Sequence, residues 1–264
     1  MNITLPDAAI TYGFYNAPVG THGSRTIMLK ELSRLFEMCP RSAGYDQYRE
    51  AIVTDNALLK NTETTRRESF RRLRELYGLD ESILLFRGLR DLWDHDEDAR
   101  PLLALLCAVA RDSIFRSTAA VIVASAPGTQ VTPQMIEDAV KESFPQRYNP
   151  MMLANIGRHA ASSWQQSGHL QGRTRKTRSL ALCTPVATAY ALWLGWLCGA
   201  RGDGLFATLW RQLLDASTHA LHEQAAVASK LGLLEYRHTG SVTEISFHYL
   251  LRSPIPTTDE KGAQ

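Results

Sequence analysis

Cysteine is scarce in this chain, with four in 264 residues, at Cys39, Cys107, Cys183 and Cys198. None of them forms a C-x-x-C pair, which excludes the usual zinc-ribbon and thioredoxin-like spacings, and such wide separation does not build a disulfide scaffold. They read as free thiols in apolar surroundings. Also absent are a glycine-rich phosphate loop, a dinucleotide-binding fingerprint and a Gly-x-Ser-x-Gly elbow. The scattered Ser, His and Asp residues make no triad that spacing alone can test. Asp94-His95-Asp96 is a poor metal motif, because adjacent residues on one helical turn point in different directions. The expectation is therefore a protein with no catalytic activity and no cofactor or metal.

Strong net charge is lacking too. The chain has 29 Lys and Arg against 27 Asp and Glu, a formal charge of +2. Whole-chain charge does not announce a nucleic-acid partner, so any such case must rest on where the cations sit. The hydrophobic fraction of 44% and charged fraction of 21% are ordinary for a folded protein with a buried core. The first eighteen residues have no basic segment followed by an apolar run, so no secretory signal is expected and the expected location is cytoplasmic.

One long uncharged run is present. Residues 180–200 contain no Asp, Glu, Lys or Arg, and about 20 apolar residues suffice to cross a bilayer. Pro185, Gly195, Gly199, two threonines and several alanines dilute its hydrophobicity, so it reads as a buried central helix rather than a membrane span.

The fold expected is mostly α-helical, with helix-turn-helix or winged-helix-like elements and a small C-terminal β-hairpin. Residues 1–24 read as an irregular arm rich in Gly, Pro, Thr and Tyr. A helix-turn-helix-like helical domain follows over 25–90, a helical middle over 91–145, a C-terminal helical domain with the hairpin over 146–252, and a flexible tail over 253–264. Within these, Ser24 suits the cap of a helix ending at Pro40, and 45–56 reads as a second helix. Asn61 or Thr62 caps a third, stopped by Gly78. Pro101, Thr132-Pro133 and Asn149-Pro150 mark further helix starts. Residues 205–231 read as one helix. Apolar and polar residues alternate at 233–236 and 242–247 about His238-Thr239-Gly240-Ser241, a hairpin signal.

Three constellations carry functional information. The first is NALLKNTETTRRESFRRLRELYG, residues 56–78. At 100° per residue, Phe70, Leu73 and Tyr77 share one face, while Thr64, Arg67, Arg71 and Arg74 share the next. Such a stripe can follow a phosphate backbone, with its N-terminal residues reaching base edges. The competing reading is a solvated helix in which Glu63, Glu68 and Glu75 pair with the arginines. The second is QSGHLQGRTRKTR, residues 166–178, where Arg173, Arg175, Lys176 and Arg178 occupy a loop without acids that can lie along phosphates as a wing. The competing reading is a solvated loop, with His169 an ordinary loop histidine. The third is the C-terminal helix and hairpin, where Arg237 and His238 stand near a tip that serves equally well for packing.

The stretch YREAIVTDNALLKNTETTRRESFRRLRELYGLD, followed by LLFRGLRDLW and PLLALLCAVARDSIFRSTAAVIV, resembles the BrxA family of BREX phage-defence systems. The resemblance covers residues 25–250 in order of elements and is specific at Asn56-Ala57-Leu58-Leu59 and the Thr/Arg-rich helix. It implies a helical accessory subunit that binds double-stranded DNA beside other defence components, and it places Thr64, Arg67, Arg71 and Arg74 at the DNA. The chain is longer than the usual member, and its N-terminal arm has no counterpart there. The alternative is an interaction scaffold of such a complex without direct DNA contact.

Overall fold

Short polar side chains start half of the helices in the computed structural model, which describes residues 5–18, 20–240 and 242–252. In chain order the helices are α1 (Asp7–Ile10), α2 (Leu29–Met38), α3 (Tyr45–Val53), α4 (Glu63–Tyr77), α5 (Leu84–Trp93), α6 (Arg100–Arg111), α7 (Ser113–Ser117), α8 (Ala119–Ala124), α9 (Pro133–Ser143) and α10 (Pro150–Gln166). A short hairpin, β1 (Leu170–Gln171) and β2 (Thr177–Arg178), precedes α11 (Pro185–Leu197), α12 (Leu209–Gln212) and α13 (Thr218–Lys230). A second hairpin, β3 (Glu235–Thr239) and β4 (Val242–Ser246), and then α14 (His248–Leu251) complete the described chain. Thr62, Thr132, Asn149, Thr184 and Ser217 each accept a backbone N–H at the start of a long helix, a cap that contributes about 1 kcal/mol. Pro133, Pro150 and Pro185 then occupy the first turn, where a missing N–H costs nothing.

The fold is the expected one, mostly helical with a small C-terminal hairpin. At its centre α6 buries every residue over 102–110, and α11 packs against it with 186–195 buried throughout. That accounts for the uncharged run: its helical part spans 13 residues and is covered by protein. Among the described residues no helix is long and apolar enough to cross a membrane. Around this pair, α4 and α5 lie against α6, α12 and α13 cover α11, and α9 and α10 pack together. A single buried cluster draws on residues from Leu5 to Leu250. Cys39 and Cys107 are buried, Cys183 and Cys198 are half-buried, and all four are free thiols.

Three expected boundaries are corrected. The first long helix starts at Leu29, not near Ser24. The amides of Ile27 and Leu29 are taken by Ser163 Oγ (3.0 Å) and Gln166 Oε1 (3.2 Å) of α10, and Met28 is left-handed at φ 51°. The helix expected over 205–231 is broken into a 3-10 turn (Gly202–Ala207), α12 and α13. The break centres on Asp215, left-handed at φ 53°, whose carboxylate is drawn to Arg178 and to the amide of Ala181 (3.0 Å). The second helix stops at Val53, and Asn56 is left-handed at φ 55°. The expected tail 253–264 lies outside the described residues, as do 1–4 of the arm and Ser241 of the expected turn.

Arginine outnumbers lysine 23 to 6, and the structure spends much of it on helix C-termini. Arg90 donates to the carbonyls of Phe36 and Cys39 at the end of α2. Arg111 donates to Arg74 O and Glu75 O at the end of α4 and to Gly13 O of the arm. Arg116 reaches Val109 O and Ala110 O at the end of α6, and Tyr15 O of the arm. Arg100, Arg178 and Arg201 do the same for α5, α8 and α11. A guanidinium there gives the terminal carbonyls a donor, in several cases beside a turn amide such as Gly78 N on Arg74 O or Gly199 N on Trp196 O, and complements the negative end of the helix dipole. The arm is consequently strapped to the core, with Phe14 and His22 fully buried.

Candidate nucleic-acid interface

Thr62 caps α4 through the amide of Thr65, and Gly78, at φ 100°, ends it. Phe70, Leu73, Leu76 and Tyr77 turn inward, and α4 packs against α3 and α6. The face left outward carries Thr64, Arg67, Arg71 and Arg74, all exposed. Half-buried Arg66 reaches back to Thr54 O (3.2 Å).

The outward arginines are not bare charge. Arg67 pairs with Glu63 (2.5 Å), and Arg71 with Glu68 (2.7 Å) and Glu75 (3.4 Å). Arg72 pairs with the same two glutamates at 2.7 and 3.0 Å. The hydrogen bond from Arg71, joined by Arg72, holds the Glu68 carboxyl down at about 2 despite its partial desolvation. Arg74 differs: its partner is Tyr45, with Nη1 3.3 Å from the phenol oxygen and the guanidinium 6.0 Å from the ring centre. Arg71, Arg72 and Arg74 also border a cleft of about 640 Å³ with Tyr15, Thr21 and Tyr45. Arg111 lines it as well, but its guanidinium is committed to three backbone carbonyls.

The 173–178 segment is a hairpin rather than an unstructured loop. Leu170 pairs with Arg178 and Gln171 with Thr177, and Gly172, at φ 100°, starts the turn. Arg173 and Arg175 are exposed on its tip. Lys176 is half-buried and donates to Gln165 Oε1; burial lowers its proton affinity. Arg178 corrects the sequence expectation. Strand alternation turns it inward, where it is 4% exposed and bonds Asp215, Ile122 O and Ser179 O. It anchors the hairpin and is closed to a phosphate. His169 is corrected likewise: it is fully buried, with Nδ1 2.8 Å from Ser167 Oγ and Nε2 3.0 Å from Leu213 O. The hairpin packs through β1 on α10, whereas α4 packs on α3, α6 and the 3-10 turn Thr21–Gly23. The C-terminal hairpin leaves Arg237 and His238 exposed, while Tyr236 and Ile245 pack against the core.

Two arrangements escaped sequence reasoning. Asp112 Oδ2 lies 2.7 Å from His22 Nδ1, and His22 Nε2 lies 2.8 Å from Ser163 Oγ. This is the order of groups in a serine hydrolase, drawn from three distant positions that no spacing rule connects. All three residues are buried, and Ser163 Oγ also accepts from Ile27 N and lies 2.9 Å from His159 O. A serine so occupied and so covered has no room for a substrate. The chain of bonds pins the arm to α6 and α10. The second arrangement is the acid-free stretch of residues 143–202, which runs through α10. Its signal, the absence of carboxylates, stands in the amino-acid sequence itself.

No protein-family model matches this chain, and no curated protein matches it.

Proposed function

We propose that this protein binds double-stranded DNA through its phosphates, as a non-catalytic accessory component of a bacterial phage-defence system of the BREX type. The observation that carries the DNA reading is the exposure of Thr64, Arg67, Arg71 and Arg74 on one face of α4, with Arg173 and Arg175 exposed on the β1–β2 tip. On α4, five arginines face three glutamates, so the helix keeps a positive surplus, and phosphate binding there exchanges carboxylates for phosphate oxygens. The defence setting, a cytoplasmic location and partner subunits rest on the family resemblance alone. The non-catalytic reading is supported by the burial of the Ser163–His22–Asp112 chain.

Fluorescence anisotropy with a labelled duplex across a salt series tests the reading. Binding should weaken steeply with salt. Replacing Arg67, Arg71 and Arg74 by alanine should weaken it further while the thermal transition stays in place. Unchanged affinity of that variant removes α4 from the interface, and no duplex binding at low salt refutes the DNA reading.

A second reading, a scaffold without DNA contact, is favoured by Leu180 and Leu182, each 61% exposed after β2. Capture of partner subunits by a chain that does not bind duplex DNA would support it.

A further inference from the structure

Residues 143–202 contain no aspartate or glutamate, yet hold six arginines and a lysine. α10 runs through this stretch. Ile156, Ala160, Ala161 and Trp164 face the core. The outward line is exposed Met151, Arg158 and Gln165 with half-buried Asn155 and Ser162 between them, at alternating steps of four and three residues, which is one stripe of a helix. Asn155 to Gln165 covers about 15 Å at 1.5 Å per residue. At its end Gln165 receives Lys176 of the β1–β2 hairpin, so the stripe runs into the tip that carries Arg173 and Arg175. To one side of it the 3-10 turn Thr21–Gly23 packs on α10, with His159 Nδ1, next to Arg158, 3.0 Å from His22 O; half-buried Arg25 follows that turn and, like Arg158, acts electrostatically on His159.

The partners of these cations distinguish the surface from α4. Arg158 bonds Asn155 Oδ1, and Arg25 bonds Ser24 O (2.9 Å). Among the described residues neither forms an ion pair, and Arg173 and Arg175 form none either. Two acidic flanks bound the track. Glu137 of α9 lies beside Gly157, on the buried side of α10, and the turn bearing Glu97 and Asp98 borders a cleft with residues 165–168. A phosphate arriving at Arg158 displaces a neutral acceptor, Asn155 Oδ1, rather than a paired carboxylate. On α4 a phosphate at Arg67 or Arg71 must displace Glu63, Glu68 or Glu75, which stay close enough to repel it, whereas Arg74, held by Tyr45, is free of that competition.

We infer that the outward stripe of α10, with Arg25 beside it and the β1–β2 tip at its end, is the principal phosphate track for duplex DNA, and that α4 is a secondary contact. This rests on the DNA-binding reading. The test compares three proteins on one labelled duplex over a salt series: the wild type, the α10 variant Arg158→Glu/Arg173→Glu/Arg175→Glu, and the α4 variant Arg67→Ala/Arg71→Ala/Arg74→Ala. Circular dichroism and thermal melting check that each is folded. The α10 variant should bind at least about tenfold more weakly, and its salt slope should fall by about two to three, near 0.9 for each phosphate no longer neutralised. The α4 variant should bind about threefold more weakly. The milder Arg158→Gln/Arg173→Gln/Arg175→Gln form should weaken binding in the same direction. Wild-type affinity in both α10 variants, or a larger effect in the α4 variant, overturns the inference and leaves DNA binding standing. Absence of wild-type duplex binding overturns both. Preference for a structured RNA over the duplex overturns the assigned partner.

Discussion

His22 Nδ1 lies 2.7 Å from Asp112 Oδ2, and both side chains are almost wholly screened from solvent. Asp112 also accepts the amides of Thr21 (2.8 Å), His22 (3.2 Å) and Phe115 (2.9 Å), so one carboxylate caps α7, holds the 3-10 turn and orients the imidazole. The imidazole in turn stacks on Phe115 at 4.0 Å and meets Ser163. This is the clasp that fixes the arm between α6 and α10. A Cβ at Gly20 would stand 2.0 Å from Asp112 Oδ1, so the chain can pass so close there only as glycine.

Removal of that carboxylate should be costly. Asp112→Ala strips the acceptor from three amides and an imidazole, and about 3–5 kcal/mol is expected for breaking a buried pair. Urea denaturation measures it; a destabilisation below about 1 kcal/mol, the size of one ordinary hydrogen bond, would show that the clasp is dispensable. The pH response follows from the same group. Burial pushes Asp112 up, but the charge and hydrogen bond of His22, with the amides of Phe115 and His22, outweigh it, and the carboxyl sits below its usual range. A depressed carboxylate adds stability that is complete above about pH 4 and is lost as pH falls through the folded-state value. Asp112→Asn should flatten the pH dependence of stability below about pH 4.

His169 acts in a higher window. Burial pushes it down to about 4, opposed by the charge of Asp215 and reinforced by that of Arg178. The contact of Asp215 with His169, at 3.6 Å, would by itself favour a charged imidazole, but desolvation prevails. Between about pH 6.5 and pH 4 the unfolded chain takes up a proton at this position and the folded chain does not. Stability should therefore decline with falling pH, by about 1.4 kcal/mol per unit. Urea titrations of wild type and His169→Gln across that range check this. Parallel curves would refute it.

Gly88 should not tolerate a side chain. It lies in α5, where alanine ordinarily gains about 1 kcal/mol over glycine. A Cβ there would stand 2.3 Å from Cζ3 of the buried Trp193 in α11. Overpacking of this kind costs about 1–3 kcal/mol, so Gly88→Ala should lower the melting temperature. A raised one would mean that α5 and α11 separate easily.

The glutamates of α4 offer a gain-of-binding test. Glu63→Gln/Glu68→Gln/Glu75→Gln releases Arg67 and Arg71 from their partners and removes three charges that repel phosphate. Duplex affinity at low salt should rise by about threefold or more, with a steeper salt dependence. The Glu63–Arg67 pair is solvent-exposed, but Glu68 and Glu75 also hold half-buried Arg72 and Glu75 accepts from Thr21 Oγ1 (2.9 Å), so stability should fall by about 1 kcal/mol or somewhat more, and a melt of the variant accompanies the titration. Unchanged affinity would show that the α4 face does not meet DNA.

Much of the helical framework was legible in the amino acids themselves. Thr132-Pro133, Asn149-Pro150 and Thr62 with Gly78 bound their helices through contacts within a few residues, and local chemistry suffices to start or stop a helix there. The exposure of Thr64, Arg67, Arg71 and Arg74 followed equally from the 3.6-residue repeat. Only the tertiary structure decided what distant partners decide. Leu29 rather than Ser24 begins α2 because α10 supplies acceptors for two amides, and Asp215 breaks the later helix because Arg178 and Ala181 claim its carboxylate. Arg175 and Arg178 are identical side chains three positions apart, one in solvent and one sealed against Asp215. Sequence periodicity determines which way a side chain points; which charges and carbonyls it meets is determined by elements brought alongside from elsewhere in the chain.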